Sequence, residues 1–125
     1  NPNNERTIME ISREFIHGKK FDVQWKSLGL DDNDLKDLQS LLLENPKVGV
    51  VMQGTGRLRK MRYAYRNRGK SHSVRVCYVD FEKYSKIVFI MVFAKNSMEN
   101  LSQAECNHIK ILIDRLEKQI GGEDQ

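Results

Sequence analysis

The chain has 125 residues, 39% of them hydrophobic and 30% charged, with a net charge of +4. That length suits one domain spanning residues 1–125, and the composition excludes a disordered or fibrous chain. The longest apolar run, Ile87 to Ala94, is a buried strand and falls well short of the roughly 20 residues that a membrane helix needs.

In chain order, polar residues 1–6 are expected to be disordered or foreign to the natural chain. Met9, Ile11 and Phe15 then alternate loosely and predict a strand over Thr7–Phe15. Phe21, Trp25 and Leu28 recur at helical spacing, with Gly29 as a C-terminal stop. The spacing assigns Trp25 to a core or partner contact rather than to RNA stacking. The DDND run supplies N-capping carboxylates for a second helix, with Leu35, Leu38, Leu41 and Leu42 inward and an end before Pro46. After an apolar and glycine-rich VGVVMQGTG come three predicted strands, Leu58–Tyr65, Ser73–Phe81 and Lys86–Ala94. A basic loop, RNRGKSH, separates the first two, and a short EKYS link joins the last two. A capping box at Ser102 and Glu105 opens a final helix with Ile109, Leu112, Ile113, Leu116 and Ile120 in one stripe. Helices segregated from hairpin-linked strands predict an α+β fold: an antiparallel sheet with an N-terminal helical hairpin and a C-terminal helix.

The charge is concentrated. From Arg57 to Arg75 there are eight Lys/Arg and no Asp/Glu, whereas residues 1–56 and 76–125 each sum to −2. Such a patch, in a chain of pI near 9.1, is the footprint of a polyanion ligand, or a solvated face that binds nothing. Strand alternation puts Leu58, Lys60 and Arg62 on one face and Arg59, Met61 and Tyr63 on the other. Arg75 falls on the neighbouring strand, so three cations are expected to converge where a phosphate would sit. The alternative is a solvated sheet face lined by Lys and Arg.

Other chemistry is sparse. Gly54 and Gly56 match no phosphate loop and read as a tight turn. His17, His72 and His108 lack metal-ligand spacing. Acids near the basic stretch are limited to Asp80 and Glu82, fewer than a two-metal nuclease wants, so neither a metal nor another cofactor is expected. Cys77 and Cys106 make no disulfide framework and suggest reduced thiols in the cytoplasm.

The stretch NPKVGVVMQGTGRLRKMRYAYRNRGKSHSVRVCYV, followed by FAKNSMENLS, resembles the HigB branch of the RelE toxin superfamily over about residues 38–105. It carries a helix ending in NP, a QGTG–LRKMR strand, a GK-containing basic loop, an RV strand and an AKN turn before the last helix. The resemblance implies a metal-independent mRNA interferase acting in the ribosomal A site. Its partners would be the ribosome, mRNA and a HigA-like antitoxin, with DNA reached only through the antitoxin. It also implies catalytic roles for Lys60, Arg62, Arg75 and Lys95. RNA contacts are expected from Arg57, Arg59, Arg66, Arg68, Lys70, His72 and Asn96. Three positions depart from the family pattern: Phe93 replaces a common tyrosine, His72–Ser73 replaces a Gly-Gly pair, and Ala94 replaces the glycine of GKN. Two further readings compete with the enzyme: a catalytically weak module that binds RNA or the ribosome, and one whose basic face only docks an acidic antitoxin segment.

Overall fold

The computed structural model describes residues 11–95 and 101–122. In chain order the elements are β1 (Glu14–Ile16), α1 (Lys19–Ser27), α2 (Asp32–Glu44), β2 (Val50–Val51), β3 (Arg59–Asn67), β4 (Lys70–Phe81), β5 (Lys86–Ala94) and α3 (Gln103–Gly121), with a 3-10 turn at Glu82–Tyr84 before β5. The strands form one sheet in the order β1–β5–β4–β3–β2.

The α+β architecture is the expected one, with two departures in the sheet. First, β1 lies parallel to β5, pairing Glu14 with Lys86 and Ile16 with Val88, so the sheet is antiparallel only from β5 to β2. The hairpin links fix the directions of β3, β4 and β5. Because β1 reaches the far edge through the two helices, no hairpin constrains its direction. Of the strand predicted over Thr7–Phe15, residues 7–10 lie outside the described residues, and pairing begins only at Glu14. Second, most of the predicted basic loop is strand. β3 runs to Asn67 and β4 starts at Lys70, leaving a two-residue turn. Arg68 and Gly69 both take positive φ, 55° and 76°, the pairing that suits the right-handed twist of a two-residue hairpin.

The two faces of the sheet are differently covered. One face packs Tyr63, Tyr65, Val74, Val76, Tyr78, Ile87, Phe89 and Val92 against Phe21 and Trp25 of α1 and Leu38 and Leu42 of α2. Leu41, expected inward, is largely exposed, because the buried positions are Leu38 and Leu42, with Leu35 half-buried beside them. Asp31 caps α2 through a reciprocal pair of hydrogen bonds with Asp34. On the other face, Ile109 and Ile113 of α3 cover Leu58, Cys77, Val79, Phe81 and Val88. The predicted capping box at Ser102 and Glu105 starts α3, and Gly122 ends it at φ 73°. Leu112 sits at the edge of that stripe and is partly exposed. A register shift opposite Cys77/Tyr78 turns both Ile90 and Met91 toward the α3 side.

Candidate nucleic-acid interface

α3 covers only part of its face. Beyond Cys77, the same face of β3, β4 and β5 presents Lys60, Arg62, Arg75 and Phe93. Arg62 stands directly opposite Arg75, and Arg75 opposite Phe93, so the three form one row across adjacent strands. Lys60 lies two residues before Arg62 on the same face and opposite Cys77. Directly opposed residues have Cβ atoms about 5 Å apart, so two guanidinium groups stem from neighbouring points of the sheet. Arg62 is exposed, while Lys60, Arg75 and Phe93 are half-buried.

Arg75 carries the most informative atom of the row. Its Nη1 is buried and has no hydrogen-bond partner among the described residues. A buried donor left unmade costs about 1–3 kcal/mol, and more when it belongs to a charged group. Among the described residues, no ion pair joins Lys60, Arg62 or Arg75 to a carboxylate. An anion with two oxygens in reach would satisfy the guanidinium fork and relieve the repulsion across the row.

The remaining expected residues are distributed elsewhere. Lys95 is exposed in the turn that follows β5, and Asn96 lies outside the described residues. Arg57 is committed to α3, with Nη2 3.3 Å from Asp114 Oδ1, Nη1 2.9 Å from Glu117 Oε1 and its guanidinium over the Phe81 ring. Arg59 faces away from Lys60 and Arg62 and donates to the carbonyl oxygens of Lys47 and Gly49, at 3.2 and 2.7 Å. Its charge holds the loop after α2. His72 sits on the face with Tyr65 and stacks on that ring at 5.4 Å, so it does not join the Arg62–Arg75 row. Arg66, Arg68 and Lys70 lie at the exposed end of the β3–β4 hairpin.

The acids nearest in sequence are engaged away from the row. Asp80 accepts from Arg13 at 2.7 and 3.2 Å in a pair only 3% and 9% exposed, and Glu82 accepts from Lys47 at 2.6 Å. The Lys47 hydrogen bond is the main reason the Glu82 carboxyl lies below its ordinary value. Among the described residues no group of three or more His, Cys, Asp or Glu is placed to hold a metal ion, and no helix is long and apolar enough to cross a membrane. Burial pushes the Cys77 thiol up to about 12, against a smaller opposing effect of Lys60. The thiol beneath the cationic face is therefore neutral and unreactive. Trp25 belongs to the core, and its Nε1 donates to the Asp31 carbonyl at 2.9 Å.

Sequence reasoning missed the unpartnered state of Arg75 and the commitments of Arg57 and Arg59. The first depends on packing around one atom. The other two had a faint signal in chain parity, since Arg59 alternates with Lys60.

Two comparisons found matches, one to a family and one to a fold. A family model described as the RelE toxin of the RelE/RelB toxin–antitoxin system matches residues 16–121. A solved structure of the E. coli toxin RelE in the free state, with two arginines replaced by alanine, is similar in fold. Its TM-score is 0.50 at 14% identity, covering 84% of this chain and 98% of that one.

Proposed function

Because the chain belongs to the RelE family of toxin–antitoxin toxins, we propose that it is a ribosome-dependent mRNA endonuclease of the HigB branch, neutralised by a HigA-like antitoxin. The observation that carries this reading is the buried, unpartnered Nη1 of Arg75, in a row with Arg62 and beside Lys60. The motifs QGTG, LRKMR and FAKNSMENLS support the branch assignment.

In this reading the face holds an mRNA phosphate so that the neighbouring ribose 2′-hydroxyl attacks in line. The 2′-hydroxyl gives up its proton to a water molecule as the 2′-oxygen–phosphorus bond forms, the bond to the 5′-oxygen breaks, and Arg62 and Arg75 stabilise the charge that builds on the phosphoryl oxygens. Lys60 and Lys95 are the ammonium groups able to protonate the departing 5′-oxygen. Among the described residues, β3, β4 and β5 bring cations and no carboxylate to this face, a donor set suited to phosphate rather than to divalent metal. Cleavage without a metal follows from that set. The protein would act in the cytoplasm, where translated messages are.

A second reading is favoured by one observation. Phe93, in register with Arg75, has no hydroxyl, which fits a module that binds the ribosome and cuts weakly. Mapping mRNA 5′ ends by primer extension after expression without antitoxin separates the two. New ends within translated messages, absent when translation of the same message is blocked, are expected. Growth inhibition without new ends would overturn the endonuclease reading.

A further inference from the structure

Beside the Arg62–Arg75 row runs a second one that ends in an uncharged side chain. Val50 of β2 stands opposite Lys60, Lys60 opposite Cys77, and Cys77 opposite Met91. Directly opposed residues of antiparallel strands point to the same face, so Val50 belongs to the face of Arg62 and Arg75. The two rows lie two residues apart along the strands, about 7 Å. Cys77 and Met91 belong to the cluster under α3. Val50 is left open at 74% exposure, the most exposed large apolar side chain among the described residues.

The place of Val50 is fixed from the opposite face. The buried Tyr78 hydroxyl donates to the Pro46 carbonyl at 2.8 Å and accepts from the Gly49 N–H at 2.9 Å. Arg59 holds the carbonyls of Lys47 and Gly49. A Cβ at position 49 would fall 2.9 Å from the Tyr78 ring and hydroxyl, so this approach of the chain requires glycine. Beyond β2, the Met52 N–H donates to the Leu58 carbonyl at 2.8 Å. The strand accounts for a β-branched residue at position 50, which threonine would supply equally. It does not account for the second methyl group, which folding leaves in water without gain.

We propose that Val50 contacts a nucleobase of the message and helps to set which codons are cut. The proposal rests on the function proposed above and assigns a selectivity residue to that same site. Every nucleotide offers the same phosphate, so Arg62 and Arg75 hold a message without distinguishing its sequence. Discrimination needs a contact with a base, and unstacked single-stranded RNA exposes base faces and edges. Val50 is the diagonal neighbour of Arg62, about 7–8 Å away, a span that one nucleotide bridges. A base edge set against two methyl groups loses the water bonded to its polar atoms. Bases are therefore sorted by how much polar edge they turn toward position 50.

The test compares Val50→Thr with Val51→Thr. Threonine keeps the shape and the β-branching and exchanges one methyl group for a hydroxyl. Val51 lies on the same strand but opposite Arg59, so it faces away from the row. Single-turnover cleavage is measured on 70S ribosomes programmed with a series of A-site codons, for both variants and the unsubstituted chain. A missing group in a closed hydrophobic pocket alters selectivity about 10- to 200-fold, and an open contact alters it less. Val50→Thr should change the ratio between the best and the poorest cut codons by about three- to tenfold. Val51→Thr should leave that ratio as it is. Both variants should keep the Tm of the unsubstituted chain, because both positions are exposed. Unchanged ratios in Val50→Thr would overturn the proposal. So would a uniform loss over all codons, or the same shift in Val51→Thr, which would assign the effect to the edge strand rather than to the Val50 side chain. If the unsubstituted chain cuts no codon on the ribosome, the function proposed above fails first, and this proposal with it.

Discussion

Replacing Arg75 by alanine should move activity and stability in opposite directions. The activity term follows from the row. Losing a guanidinium that contacts the transition state typically costs about 3–4 kcal/mol, or roughly 100- to 1,000-fold in rate. The stability term follows from Nη1, buried and without a partner among the described residues. Removing it relieves about 1–3 kcal/mol of unmet hydrogen bonding, and a further few tenths from facing Arg62 directly across the strands. Against this stands the half-buried aliphatic stem, worth about 1 kcal/mol of burial. The balance is a protein unchanged or stabilised by up to about 2 kcal/mol. For a chain of this size 1 kcal/mol is about 4 °C in Tm. Thermal unfolding of the purified variant and growth after its induction without antitoxin give the two readings. Arg75→Lys keeps charge without the two-pronged geometry and should retain only part of the activity. A variant that stays fully toxic, or one that is inactive because its Tm falls by more than about 5 °C, would refute the reasoning. Either result would make Arg75 a structural cation.

Two further predictions concern the frame. Tyr63 donates to Asp37 Oδ2 at 2.8 Å and lies 3.1 Å from the Asp34 carbonyl, on the face away from the row. Tyr63→Phe should lower stability by about 1–1.5 kcal/mol, read from the urea midpoint, and leave mRNA cleavage unchanged. The Glu105 carboxyl is held below its ordinary 4.5 by the Ser102 backbone N–H and then by the Ser102 side chain. A depressed folded-state pKa means the cap is fully effective above 4.5 and is lost as pH falls through the lowered value. Fraying of α3, followed by amide exchange between pH 6 and 3, should therefore rise toward the acid end, and Glu105→Gln should flatten that dependence.

Much of this was legible in the chain because it depends on period and local chemistry. Tyr63 and Tyr65 alternate with Arg62 and Arg66, which fixes which side chains share a face whatever the rest of the fold does. Asp31, Ser102 and Glu105 announce helix starts through bonds made within four residues. The parallel pairing of β1 was not legible, because only Glu14–Ile16 pair and their partners are some 70 residues away. The loop predicted around Arg68 was read from its polarity. A polar ribbon exposed on one side has the same composition as a loop, and only the Arg68–Gly69 turn tells them apart. For the site, the approach of Arg62 to Arg75 follows from pairing, whereas the withdrawal of Arg57 and Arg59 depends on acceptors at Asp114, Glu117, Lys47 and Gly49 that no local pattern reveals.

The division of labour between the two faces explains how one hairpin tolerates its charge. Repulsion between opposed cations such as Arg62 and Arg75 costs a few tenths of a kcal/mol to about 1. On the reverse side of the same strands, rings follow one another from Phe15 to Phe89, Phe21, Trp25, Tyr63, Tyr65 and His72, with successive centroids 5.2–6.2 Å apart. Each such contact adds about 0.5–1.5 kcal/mol beyond burial, so the succession outweighs the repulsion several-fold. Because alternation places the two sets on the same backbone, the fold does not need the cations to be paired. They remain free for a ligand, and β3 and β4 hold them in fixed relation before it arrives, which is the condition under which charge stabilises a transition state without reorganisation. Substitutions that abolish toxicity should accordingly fall into two classes. Changes among the rings remove the protein, and changes among Lys60, Arg62 and Arg75 leave the protein and remove the activity.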